Sequence, residues 1–142
     1  MGFFRNFTRR VEKISNALII ESMTETPTSL SGKYLIATPS LGDPRFHRAV
    51  VYVCSHDADH AFGLVINKAK GTLVISDLVD QIGIEGKVTV ADTPVLDGGP
   101  MGHDRGIVLH SPDYFSEDTS QKLSNTLSLT NTKNVLEALV TD

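Results

Sequence analysis

Three apolar, β-branched runs within residues 32–68 constrain the fold more than any other feature of the sequence. The runs cover residues 34–38, 49–55 and 62–67, and turn-forming segments at 39–44 and 56–60 separate them. Branched side chains pack well on a pleated surface, so each run predicts a β-strand. The short His-Asp-Ala-Asp-His segment predicts that the second and third strands form an antiparallel hairpin with a loop of about five residues.

The middle run is apolar on both of its faces. Val50, Tyr52 and Cys54 alternate with Val51 and Val53, so neither face of the strand is polar. A strand of this kind needs cover on both sides. We therefore predict that it is the central strand and that it forms the core.

The chain after residue 68 predicts shorter elements. Residues 69–71 indicate a turn, and the apolar residues that follow have helical spacing, with Ser76 as a candidate N-cap and Gly83 as a candidate stop. Strands are predicted within residues 86–93 and at 107–110, an edge strand at 123–129, and a final helix capped within 130–132.

Composition and charge restrict the class of protein. The formal net charge is −4, which does not favour direct binding to nucleic acid. One cysteine cannot form an internal disulfide, and no apolar run approaches the roughly 20 residues that span a bilayer. We expect a cytoplasmic protein with no cofactor.

The first 20 residues form a separate pattern. Apolar residues recur at steps of three and four, opposite a basic face, which predicts an amphipathic helix at Phe3, Phe7, Val11, Ile14 and Leu18. Peripheral membrane contact through residues 1–20, a targeting peptide and an extension docked on the domain are all compatible with this pattern. Translation starting at Met23 would leave the helix out. We divide the chain into a helix and polar linker at 1–29 and a domain at 30–142.

The hairpin loop gathers groups that can bind metal or react. His56, Asp57, Asp59 and His60 lie close to Cys54 in the sequence, and together they offer imidazole, carboxylate and thiolate. No spacing typical of a zinc site fixes their geometry, and a solvated turn is the simpler interpretation. We predict no metal and an inert, packed cysteine, because burial raises a thiol's pKa.

A glycine-rich bend at residues 97–102 allows two interpretations. Consecutive backbone amides can hold a phosphate, or the glycines can supply the positive φ of a tight turn. The segment lacks the lysine and hydroxyl residues of a P-loop, which favours the turn. Arg105 follows closely and can pair with a ligand's carboxylate or phosphate; structural ion pairs with Asp43 or Asp104 are the alternative.

Three longer motifs carry a resemblance to a known family. GKYLIATPSLGDPRFHRAVVYVCSHD, GLVINK and PVLDGGPMGHDRGIVLH resemble, in order and spacing, the YqgE/AlgH family of small bacterial proteins, from residue 32 to about 140. The resemblance implies an α+β domain in which a bent, mainly antiparallel sheet forms a partial barrel with short flanking helices. It also implies a transcriptional regulator, a label linked to exopolysaccharide (alginate) synthesis.

The resemblance also selects candidate binding residues at predicted strand ends, where a sheet protein gathers distant groups into one cleft. These residues are Pro39, Asp43, His56, Asn67, Gly98, Gly99, Pro100, Arg105 and His110. The sequence departs from the family at residues 60–62, where a Gly-Ala pair is usual, and at Met101 in place of a frequent Val.

Members of the family continue past the last predicted helix with a Gly-Pro turn and a Gly-Trp segment, whereas this sequence stops there, so it is either a fragment or a shortened member whose domain is truncated at the C-terminus. A missing strand would leave an open sheet edge, and such edges pair with other chains. We therefore expect a tendency to self-associate.

Two hypotheses about function follow. The first is a non-enzymatic binding or regulatory protein, acting indirectly on transcription through a protein partner or a small anionic ligand beside residues 98–100 and Arg105. The alternative is a small hydrolase or transferase acting on an anionic metabolite. In that case Arg105 would bind the anion, and His56 or His110 would be the general acid or base.

Overall fold

The computed structural model describes residues 29–102, 105–131 and 133–141. Their first elements are β1 (Tyr34–Ile36), a short 3-10 helix (Pro44–Phe46), β2 (Val50–His56), β3 (Ala61–Val74) and α1 (Ile75–Gln81). The later elements are β4 (Lys87–Val88), β5 (Pro94–Gly98), β6 (Val108–His110), β7 (Ser120–Lys122), β8 (Ser128–Thr130), α2 (Asn134–Glu137) and β9 (Val140–Thr141). The predicted amphipathic helix at 1–20, its membrane contact and most of the linker lie outside the described residues.

The described chain forms two compact units. The first comprises residues 29–68 and 97–101, and the second comprises residues 69–96, 102, 105–131 and 133–141. Seven of the nine candidate binding residues lie in the first unit, and Arg105 and His110 lie in the second.

The sheet that contains β2 has the strand order β1, β2, β3, β5. β1 and β2 are antiparallel, with Leu35 opposite Val51, and β2 and β3 are antiparallel, with Val51 opposite Val65. A four-residue loop joins β2 to β3, and the Asp57 amide closes it by donating to the His60 carbonyl over 2.9 Å. The predicted hairpin and the inner position of its first strand are confirmed.

One face of this sheet carries the core of the first unit. Leu35, Val51, Val53 and Val65 are buried there, together with Phe46, Ala49 and Ala61. On the other face Tyr52 and Cys54 are buried, whereas Tyr34 is 61% exposed and packs its ring 5.3 Å from that of Tyr52. The apolar pattern on both faces of the middle run therefore predicted its burial correctly.

β3 is longer than the sequence predicts. It continues through the expected turn at residues 69–71 as far as Val74, so that prediction was wrong. Gly71 has a φ of 59°, which glycine adopts without steric cost, and the strand continues past it.

α1 begins and ends through local hydrogen bonds. The Asp77 carboxylate accepts from the Val74 amide over 3.2 Å, so the N-cap is Val74 and not the predicted Ser76, which lies inside the helix. The predicted stop at Gly83 is confirmed, because this residue has a φ of 73° and its amide bonds back to the Asp80 carbonyl.

The second unit contains a three-stranded antiparallel sheet in the order β6, β8, β7. The predicted edge strand at 123–129 was wrong, because residues 123–127 form the loop between β7 and β8, and β8 is the inner strand. The Ser124 hydroxyl accepts from the Thr126 amide over 3.2 Å and so stabilises this loop. Thr130 belongs to β8 and does not cap α2, whose N-cap is Lys133.

The α+β class is confirmed, with antiparallel pairing and few, short helices. The described strands lie in sheets of four, two and three strands, and these sheets form no closed barrel.

Phe46 tests how far the first unit depends on its core. It is 2% exposed, and Phe46→Ala should lower the free energy of unfolding by about 3–5 kcal/mol, because the cavity adds to the lost burial. Phe115→Ala is the matched control, since Phe115 is 51% exposed, and its effect should stay within about 0.5 kcal/mol. Urea unfolding followed by circular dichroism measures both. Equal effects from the two variants would contradict this description of the core.

Candidate functional site

The Asn67 side chain joins β3 to the start of β2, where the pairing of these two strands ends. Its Oδ1 accepts from the Val50 amide over 2.9 Å, and its Nδ2 donates to the Arg48 carbonyl over 2.8 Å. Arg48 has a φ of 54°, a left-handed conformation that costs a non-glycine residue about 1–2 kcal/mol because of its Cβ atom. The amide of Asn67 therefore holds a strained corner just before β2.

Asp43 stabilises the segment that leads into this corner. Its carboxylate forms a paired interaction with Arg45, through Nε at 2.9 Å and Nη2 at 2.6 Å, and also accepts from the Arg45 amide. The sequence suggested Arg105 as a partner for Asp43, and the arginine two residues along fills that role. Pro39 lies at this end too, exposed in the turn that the Leu41 amide closes on the Thr38 carbonyl.

His56 lies at the opposite end of the hairpin. Its Nδ1 accepts from the Leu30 amide over 3.0 Å, and its carbonyl accepts from the Ser29 hydroxyl over 2.8 Å. The antiparallel register places it about 20 Å from Asn67 along the strands. The hairpin therefore separates these two candidates instead of bringing them together.

The hairpin loop uses its polar groups for its own turn. Asp57 Oδ1 accepts from the amides of Asp59 and His60 over 2.9 and 2.8 Å, and these bonds lower the pKa of the carboxyl below its ordinary value. Within the described part of the chain, no three His, Cys, Asp or Glu side chains are grouped so as to hold a metal ion.

Cys54 is a buried thiol on β2. The register shifts between Val53 and Ser55, so Cys54 is the extra residue of a bulge, and burial raises the pKa of its thiol to about 11. At neutral pH the thiolate population is therefore very small, which suits packing and not nucleophilic attack.

The glycine bend follows β5 in the first unit. Gly98 has a φ of 72° and Gly99 a φ of 132°, so both positions require glycine. Gly99 is buried, and a Cβ there would lie 3.7 Å from a methyl group of Val65. Pro100 follows, half-buried. The bend thus lies against β3.

His110 joins the strands of the three-stranded sheet in the second unit. Its Nδ1 is 2.7 Å from the Ser111 carbonyl, which fixes the proton on that nitrogen in the neutral ring. Its Nε2 then accepts from the hydroxyl of Thr130 over 2.8 Å, and Thr130 is fully buried. Both ring nitrogens are therefore used inside the sheet, whereas Arg105 is exposed.

The structure also reveals residues that the sequence analysis missed. Arg45, Arg48 and Lys68 meet at the strained corner, where Lys68 Nζ lies 3.4 Å from the Arg45 carbonyl. We call residues 43–48 with Asn67 and Lys68 the basic corner. The Pro-Arg-Phe-His-Arg segment was the available signal, because a buried Phe46 between exposed Arg45 and Arg48 presents the charges outward.

With this geometry described, the chain can be compared with known proteins. The sequence model of the AlgH-like family matches residues 34–142. The chain belongs to this family. A UPF0301 protein of Cereibacter sphaeroides is 46% identical over 110 residues, which are 78% of this chain and 60% of that protein. A UPF0301 protein of Ruegeria pomeroyi is 45% identical over 114 residues, 80% of this chain and 61% of that protein.

A solved structure supports the same assignment. The solution structure of the AlgH protein from Pseudomonas aeruginosa matches with a TM-score of 0.64 and 30% identity, covering 82% of this chain and 61% of that one. The chain therefore spans about three fifths of the length of these AlgH-like relatives. Among the described residues, no helix has the length and apolar character needed to cross a membrane.

Because the pKa of Asp57 is lowered by folding, we expect the free energy of unfolding to depend on pH. The pKa of this carboxyl is lower in the folded chain than in the unfolded chain, so its contribution is present above about pH 4 and is lost as the pH falls through the folded value. Asp57→Asn keeps an acceptor but removes the charge, so its stability should approach that of the unsubstituted chain as the pH falls from 7 to about 3.

Thermal unfolding of the Asp57→Asn variant and of the unsubstituted chain, from pH 7 to about pH 3, measures this difference in stability. Asp57→Ala is the control, because it removes the acceptor and should remain less stable at every pH. A constant difference between Asp57→Asn and the unsubstituted chain would contradict the assigned role of the charge.

Proposed function

We propose that this AlgH-like chain is a non-enzymatic binding or regulatory protein of the cytoplasm, which affects transcription indirectly through a protein partner. One observation carries the proposal: among the described residues, the two histidines and the thiol considered as acid, base or nucleophile all have contacts within the scaffold. His110 uses both ring nitrogens, His56 uses its Nδ1, and the Cys54 thiol is buried.

These engagements favour binding over catalysis. A general base must reach the proton that it abstracts, and a nucleophile must be accessible and activated. Thr130, the hydroxyl next to His110 Nε2, is fully buried, so this pair presents no nucleophile to a substrate. The free, buried thiol is also compatible with a reducing compartment such as the cytoplasm.

A turnover assay tests the proposal directly. The full chain is incubated with p-nitrophenyl phosphate, p-nitrophenyl acetate and a set of phosphorylated and carboxylated metabolites, and each is quantified over time. We expect no consumption above that of the His56→Gln and His110→Gln variants, each first shown by circular dichroism to be folded. Consumption that either substitution abolishes would contradict the proposal and favour an enzyme.

A further inference from the structure

The basic corner has a charge opposite to that of the whole chain. Arg45, Arg48 and Lys68 stand against the single carboxylate of Asp43, which leaves a local charge of +2 on a chain of formal charge −4. Asp57 and Asp59 are in the hairpin loop at the far end of the strands. The residues that form the corner therefore carry a net positive charge on an acidic protein.

The backbone that carries the cationic groups is held in place, and the Arg45 guanidinium is also positioned by its own side-chain bonds. Asn67 fixes the position of Arg48 through the Arg48 carbonyl, and Lys68 follows Asn67 directly in β3. The bonds to Asp43 occupy two of the five N–H groups of Arg45, and its side chain remains 45% exposed. The Arg45 guanidinium, which Asp43 positions, therefore loses less conformational entropy when it binds an anion.

The shape of the corner decides the kind of partner. Residues 44, 45, 47 and 48 are all exposed, so this segment projects into solvent. Small-molecule sites are concave and bury most of their ligand, whereas protein interfaces use projecting charged groups for steering and register. We infer that the basic corner, through Arg45, Arg48 and Lys68, binds an acidic segment of a partner protein.

The chemistry of this contact follows from the donors. Arginine pairs in a bidentate manner with a carboxylate, and lysine adds a compact point charge. A run of Glu or Asp side chains therefore fits the corner, and because the contact is exposed, it weakens as salt screens it. This inference rests on the proposed binding function and gives that function a surface and a class of partner.

Fluorescently labelled poly-L-glutamate is the probe, and anisotropy with the full chain at about 50 mM and about 150 mM NaCl measures binding. We expect saturable binding that weakens at the higher salt concentration. The double substitution Arg48→Gln with Lys68→Gln should raise Kd about threefold to tenfold, as expected for the loss of one exposed and one half-buried charge contact.

The matched control is Lys33→Gln with Lys122→Gln, two exposed lysines outside the corner that change the net charge by the same amount. It should leave Kd within about twofold of the unsubstituted chain. Equal weakening in both double variants, or no binding of poly-L-glutamate, would overturn the inference. A single-stranded oligonucleotide of equal charge that binds more tightly and loses affinity in the corner variant would also overturn it.

The two proposals can fail separately. If the chain neither binds poly-L-glutamate nor turns over any substrate, the proposed acidic partner is wrong, and the proposed binding function still stands. Turnover abolished by the histidine substitutions would remove the binding function itself, whatever the anisotropy shows.

Discussion

The two hydrogen bonds of the Asn67 amide are the constraint on which the first unit depends. They connect the end of the segment after the 3-10 helix, the start of β2 and the middle of β3. Arg48 adopts a conformation that costs about 1–2 kcal/mol, and each of these bonds contributes about 0.5–1.5 kcal/mol. The two terms are of similar size, so the corner keeps its shape only while Asn67 holds it.

The corner also divides apolar from charged residues. Phe46 lies in the core at 2% exposure, and its neighbours Arg45 and Arg48 lie in solvent. The left-handed residue turns the chain, and β2 begins two residues later at Val50, followed by the buried Val51. The packing that stabilises the sheet and the charges that offer a binding surface thus depend on the same few backbone angles.

The central hairpin could be predicted from the sequence, because the pattern of apolar and polar residues indicates both its strands and its loop. β2 is apolar on both faces and is an inner strand, and the polar loop after it closes the hairpin. The length of β3 and the loop at 123–127 could not be predicted. Residues such as Gly71 and Ser124 favour turns only weakly, and tertiary contacts decide whether a strand continues or ends there. The antiparallel hairpin itself implied that His56 and Asn67 lie at opposite ends, a consequence that the single-cleft hypothesis did not take into account. Nothing in the sequence showed the positive φ of Arg48.

A double-mutant cycle between Asn67→Ala and Arg48→Gly tests the central claim most directly. Arg48→Gly removes the strain, so the free energy of unfolding lost through Asn67→Ala should be smaller in the Arg48→Gly background, with a coupling of about 0.5–3 kcal/mol. Urea unfolding of the four proteins gives this value. Additive effects, within about 0.5 kcal/mol, would show that Asn67 does not hold the left-handed corner and would contradict the account.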